Sequence, residues 1–182
     1  MILPITTFGQ TVLKTPATPI AEITPEIKSL AKDMLETMYD AEGVGLAAEQ
    51  VGRTESICVI DVPRDGEYRD YRGRNDHVKM PLVLINPVVH DPVGAMRKSE
   101  GCLSFPGLYV DITRAETVTV DYTDLDGNRQ SATVHGLLAR AVQHEVDHLN
   151  GTLMSDKLSS TQRLANAGRL RRIRALSEEK KA

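Results

Sequence analysis

Tryptophan is absent from this 182-residue chain, and aromatic residues make up only 4% of it. Little is left with which to stack bases, so a nucleic-acid module, and specific DNA as a partner, are disfavoured. No apolar run approaches the roughly 20 residues that a membrane-spanning helix needs, and no membrane role is expected. The opening MILPITTFGQ has neither the basic n-region nor the long apolar h-region of a secretory signal. A cytoplasmic protein is the expectation. Cysteine is scarce as well: Cys58 and Cys102 are too few for a disulfide framework, and each is free for packing or metal binding. Internal repeats and low-complexity tracts are also missing.

What is present is an ordinary globular composition, 41% hydrophobic and 26% charged, on a length that favours one domain. Charge is unevenly spread. Residues 159–182 carry seven Lys/Arg against two Glu, a net +5, which leaves −8 for residues 1–158. We therefore expect a single catalytic domain over 1–158 and a basic, helical tail over 159–182. Such a tail suits an anionic partner, although a solvated charged helix explains the same charges.

Hydrophobic periodicity places the elements. In TPEIKSLAKDMLETMYDAEG, Thr24 can cap, Pro25 suits the first turn, and Ile27, Leu30, Ala31, Met34, Leu35 and Met38 recur at helical spacing. This helix should end near Ala41, before the glycine-rich EGVGLAAEQVG. SICVIDVP and LVLINPVV read as strands, separated by the polar loop RDGEYRDYRGRNDH. ETVTVDYTDLDGNRQSATVHG alternates with period two about an Asp126-Gly127 turn, a hairpin signal. GLLARAVQHEVDHLNG is a second helix, with Leu138, Val142, Val146 and Leu149 as its buried stripe and Asn150-Gly151 as its stop. TQRLANAGRLRRIRAL can form a basic helix that Gly168 interrupts. The expected fold is α+β, mostly antiparallel strands around one central helix.

That second helix carries His144, Glu145 and His148 in the order His-Glu-x-x-His. Positions four apart share a face, so both imidazoles can reach one point, and Glu145 on the rim can touch a metal-bound water as general base. Two surface histidines would give the same letters, but the apolar stripe marks this helix as central. A catalytic site of this type wants three protein ligands and an open position. A third histidine six residues after the second is not there, because Met154 occupies that position. A later glutamate exists only as Glu178 and Glu179 in the tail. Upstream, Cys102 lies among turn-forming residues in SEGCLSFPG and fits a packing role less well than Cys58 does in ICVIDV.

Three segments, GVGLAAEQVG (43–52), EGCLS (100–104) and QHEVDHLNG (143–151), stand in the order and spacing of the peptide deformylases, which the chain closely resembles. The resemblance implies a metal held by Cys102, His144 and His148 with a fourth position for water. It implies Fe²⁺ first, with Zn²⁺, Ni²⁺ or Co²⁺ able to substitute. One thiolate and two imidazoles suit those ions and reject Mg²⁺ or Ca²⁺. It further implies hydrolysis of N-formyl-methionyl peptides to formate and a free amino terminus. Glu145 would be the general base, and Gln50 and the Leu103 backbone N–H the oxyanion donors.

Candidates for the methionine pocket are Val44, Leu137 and Ala141, with the ring of His144. Gly43 and Gly45 would let an extended peptide approach the backbone. Glu100 is expected to support the ligands, and Arg114 either joins it or forms an ordinary salt bridge. Glu42 is a supporting acid or a surface charge. His77, His90 and His135 are expected not to be ligands. Arg140, apolar in some members, walls the pocket with its stem or points to solvent. Tyr109 stands where some members carry an arginine that meets the peptide. Two rivals remain at this level: a metalloprotease for internal bonds, and a structural metal domain that binds through its tail. Since the family acts on nascent chains, the tail near Arg169–Arg174 is a candidate ribosome contact.

Overall fold

Helix α1 (Pro25–Asp40) begins where Thr24 accepts from the Ile27 N–H at 3.4 Å, with Pro25 in the first turn. It is one of three helices in the computed structural model of the chain, which describes residues 1–63 and 73–179. Of the polar loop expected over 64–77, residues 64–72 lie outside the described residues and 73–77 form a turn. Five strands make one antiparallel sheet in the order β1-β2-β3-β6-β7: β1 (Gly45–Ala47), β2 (Ile57–Ile60), β3 (Leu82–Val93), β6 (Thr117–Thr123) and β7 (Arg129–His135). Strands β4 (Met96–Gly101) and β5 (Tyr109–Arg114) form a separate antiparallel ribbon. The expected hairpin is β6–β7, paired from Thr117↔His135 to Thr123↔Arg129.

The sheet is sandwiched at its β1–β3 end, which explains the unbroken apolar run of β2. Ile57 and Val59 face α1 with Leu30, Met34 and Met38, whereas Cys58 and Ile60 face the other side. There α2 (Gly136–Leu149) lays Leu138, Val142, Val146 and Leu149 against Leu84, Val118, Val120 and Val134. Cys58 is a buried core residue. Strand β3 bends at two bulges beside β6, and its left-handed residues there are Asn86 and Asp91, types that tolerate this backbone.

A third apolar cluster joins the ribbon to the chain ends: Val110 and Ile112 of β5 with Phe105, Leu108, Leu13, Leu153 and Ile173. Ile173 belongs to α3 (Ser160–Glu179), which runs unbroken through Gly168. Nothing lies within 4 Å of a Cβ built at Gly168, so the glycine sits on the open side of the helix, where it weakens α3 without ending it. The opposite side docks. Ser177 Oγ donates to the Thr7 carbonyl at 3.3 Å, and the Arg174 guanidinium lies 5.0 Å from the Phe8 ring centroid. No helix among the described residues is long and apolar enough to cross a membrane.

Candidate metal centre and active site

Three elements converge on one cavity of about 410 Å³: the β1 segment with the short 3-10 helix after it (Ala48–Val51), the end of β4 with its turn, and α2. Val44, Gly45, Gln50, Cys102, Leu103, Leu137, Ala141, His144 and Glu145 all line it. His148 does not reach the lining. It lies one turn deeper on α2, 1% exposed, beside His144 and Cys102.

The donor atoms form a tight group, all within 4.8 Å of one another. His148 Nε2 is 3.3 Å from Cys102 Sγ and 3.2 Å from His144 Nε2. Ligands of a tetrahedral ion bound at the usual N and S distances would be separated by roughly 3.3–3.6 Å. His144 Nδ1 is 2.6 Å from Glu100 Oε1, so the carboxylate accepts a hydrogen bond from Nδ1–H and Nε2 is the nitrogen that faces the other donor atoms. His148 Nδ1 is buried without a protein partner among the described residues. A soft thiolate and two buried imidazole nitrogens converging at this spacing fit a divalent transition metal.

Charge is arranged around that point. Burial opposes a proton on His144, yet the Cys102 sulfur and Glu100 outweigh it and raise its pKa well above the ordinary imidazole value. For His148, burial comes first and His144 second, and both lower its pKa far below that value. Glu145, fully enclosed, has its pKa pushed up to about 7 by loss of water, against the pull of His144. Its Oε2 has no protein partner. Room for this side chain comes from Gly45, where an added Cβ would lie 2.3 Å from Glu145 Oε1. Gly45 is thus a packing requirement of the acid, whereas a Cβ at Gly43 would meet the Leu103 side chain at 2.8 Å.

Gln50 is held at both ends. Its Oε1 accepts from Ala47 N–H at 2.9 Å, which turns Nε2 toward Ser104 Oγ (3.2 Å) and Cys102 Sγ (3.4 Å). The amide therefore bridges a turn and also presents a donor to the cavity. The turn after Cys102 is closed by the Phe105 N–H on the Cys102 carbonyl (2.8 Å), so the Leu103 N–H stays out of the turn's own bond.

Behind the candidate ligands lies a buried ion network. Arg114 donates through Nε and Nη2 to both oxygens of Glu100, each at 2.6 Å, and through Nη1 to Asp147 at 2.8 Å. Burial would raise the pKa of Glu100, but the bonds from Arg114 and His144 hold it far below the usual carboxylate range. Glu100 and Arg114 therefore form one network at the ligands. Arg140 follows the first of its two expectations and not the second. Its side chain lines the cavity, but its guanidinium is buried against Glu100 and the ribbon rather than in solvent. The reason is that β4–β5 covers that end of α2 and offers acceptors.

Tyr109 stands 70% exposed at the rim, its ring over Gly101. Glu42 is exposed and lines the mouth. His90 lies between Asp91 and Asp121, and His135 faces Thr117, so neither nears the donor group. Sequence reasoning passed over Ser104, Asp147 and Glu49. Glu49 adjoins Gln50 in sequence, is fully buried with both oxygens unpartnered, and has its pKa pushed up to about 8 by burial. No letter pattern distinguishes it from a surface glutamate.

The pattern of the family described as Polypeptide deformylase matches residues 2–164. A peptide deformylase of Alkalilimnicola ehrlichii is 43% identical over 162 residues, 89% of this chain and 85% of its own. The crystal structure of a peptide deformylase from Legionella pneumophila superposes with a TM-score of 0.83 at 36% identity, covering 98% of both chains. A peptide deformylase of Synechococcus elongatus in complex with actinonin superposes with a TM-score of 0.80 at 39% identity, covering 94% of this chain and 85% of its own.

Proposed function

The chain belongs to the peptide deformylase family, and from that premise we propose how its residues remove the formyl group from N-formyl-methionyl peptides. The observation that carries the reading is the meeting of Cys102, His144 and His148 with Glu145 and Gln50 at one cavity. Cys102, His144 and His148 would hold a divalent ion, Fe²⁺ by preference, with Zn²⁺, Ni²⁺ or Co²⁺ as alternatives. When bound, the ion supplies Lewis-acid activation of water and of the formyl oxygen.

Glu145 takes a proton from the attacking water as the new C–O bond forms at the formyl carbon. Gln50 Nε2 and the Leu103 N–H donate to the oxygen that gains charge. As the C–N bond breaks, Glu145 delivers its proton to the leaving nitrogen, giving a free amino terminus and, after ionisation, formate. Enclosure keeps Glu145 in the range where it both accepts and returns a proton near neutral pH. Val44, Leu137, Ala141 and the His144 ring take the methionine side chain. β1, an edge strand of the sheet, offers its backbone at Gly45 for strand-like pairing with the peptide.

Comparison of formyl-Met, acetyl-Met and internal peptides tests this reading. We expect formate release from the first and negligible turnover of the others, whereas equal rates on all three would favour a general peptidase. We also place the enzyme in the cytoplasm beside the ribosome, with a single catalytic domain over 1–158 and the basic tail as contact. Arg169, Arg171 and Arg172 are exposed on docked α3, which supports that assignment. Reversing these three charges should abolish ribosome co-sedimentation; unchanged co-sedimentation would remove the contact.

A further inference from the structure

The three ligand residues come from two separate pieces of the fold. His144 and His148 ride on α2, and Cys102 follows directly on β4 of the ribbon. Among the described residues the ribbon pairs only within its own two-stranded sheet, and it joins the five-stranded sheet, on which α2 is seated, through the short links 94–95 and 115–116 at the end away from Cys102. Toward the Cys102 end, the distance between sulfur and imidazoles therefore depends on contacts that span ribbon and helix.

Arg140 lies on the same stripe of α2 as His144 and His148, one turn before the first of them. It is 6% exposed. Its Nη1 donates to Glu100 Oε2 at 2.8 Å, and its Nη2 donates to the Met96 carbonyl of β4 at 2.8 Å and the Ile112 carbonyl of β5 at 3.2 Å. One planar group therefore bonds both strands and the carboxylate that orients His144. Glu100 does not need Arg140 for that orientation, because Arg114 already holds both its oxygens. What Arg140 adds is the pair of attachments to ribbon backbone.

We propose that Arg140 is a positioning residue of the metal centre, setting the separation between Cys102 and the two imidazoles by pinning the β4–β5 ribbon to α2. The inference rests on the metal reading given above. A guanidinium suits the task, since its rigid planar fork spreads donors toward separate acceptors in one fixed geometry, whereas an ammonium is a compact point charge on a flexible stem.

The test is Co²⁺ binding by the full-length protein and its variants, read as affinity and as the thiolate-to-cobalt absorption. Arg140→Met keeps the stem and removes every donor. It should lower Co²⁺ affinity by roughly 10- to 100-fold, the usual effect of losing an outer support, and should shift the thiolate band. Arg140→Lys, which keeps the charge beside Glu100 and gives up the double attachment, should fall between. Val142→Ala, on the sheet side of α2, should lower the melting temperature and leave both cobalt readouts unchanged. Wild-type affinity and spectrum in folded Arg140→Met would overturn the proposal; if that variant does not fold, the same result in Arg140→Lys would. A wild-type protein that binds Co²⁺ without a thiolate band would overturn the metal reading and the proposal with it.

Discussion

Helix α2 carries two buried stripes made of opposite materials. Leu138, Val142, Val146 and Leu149 meet the sheet through apolar contacts alone, while Arg140, His144 and His148 meet the ribbon and Cys102 through hydrogen bonds and charge. Contacts of the first kind are non-directional and reward burial itself. Those of the second kind repay desolvation only when every partner is in place. One side therefore fixes where the helix sits, and the other, at a cost in stability, fixes what it does. Removing a buried polar group that no neighbour depends on, such as the Glu145 carboxylate, should remove activity and spare the fold; changes on the apolar side should do the reverse.

Glu145→Gln tests this contrast most severely. Turnover should fall about 10²- to 10⁴-fold, the usual worth of a general base, with metal content retained and the melting temperature equal to or above wild type. A large drop in melting temperature would break the contrast. Gln50→Leu would remove a proposed oxyanion donor and should cost roughly 100-fold or more in kcat. A loss confined to KM would instead make Gln50 a binding residue. From the apolar side, Leu138→Ala should cost about 2–5 kcal/mol in denaturant unfolding, while kcat per folded molecule stays near wild type. If kcat fell in proportion to stability, the two stripes would not be separable.

The smallest effect concerns Glu49, a buried acid with no side-chain partner among the described residues. Its pKa is about 8 in the folded chain against an ordinary 4.5. Between those values the unfolded chain is ionised while the native state keeps its proton. Stability from this group is then fully present below about pH 4.5 and is lost as pH rises to about 8. Glu49→Gln removes the ionisation. Melting temperatures of wild type and variant should agree near pH 4 and separate toward pH 8, the variant being higher. Parallel curves would show that Glu49 already ionises freely in the native state.

Much of the site was legible because its chemistry is written locally. His144, Glu145 and His148 lie on one helical turn and its successor, and Gln50 and Cys102 sit in short glycine-flanked segments. Helix α1 and the β6–β7 hairpin follow from capping, periodicity and an Asp-Gly turn. The β4–β5 ribbon did not announce itself, since Met96–Gly101 is largely polar and pairs with residues up to 18 positions on. The direction of Arg140 was equally hidden. Its acceptors lie 28, 40 and 44 residues away, and only the covering ribbon brings them together. The spacing of four between Arg140 and His144 was the one available hint, and it places the arginine on the ligand stripe. The docking of α3 depends on Ile173 and Ser177 meeting residues near the amino terminus, which helical periodicity cannot specify.

Everything proposed for this chain turns on Cys102, His144 and His148 as a working metal centre for deformylation. Formate release from a formyl-Met peptide, measured on protein purified without oxygen, before and after chelation and after Fe²⁺ is returned, tests it most directly. Chelation should abolish activity and Fe²⁺ should restore it; release that continues undiminished in metal-free protein would refute the metal centre.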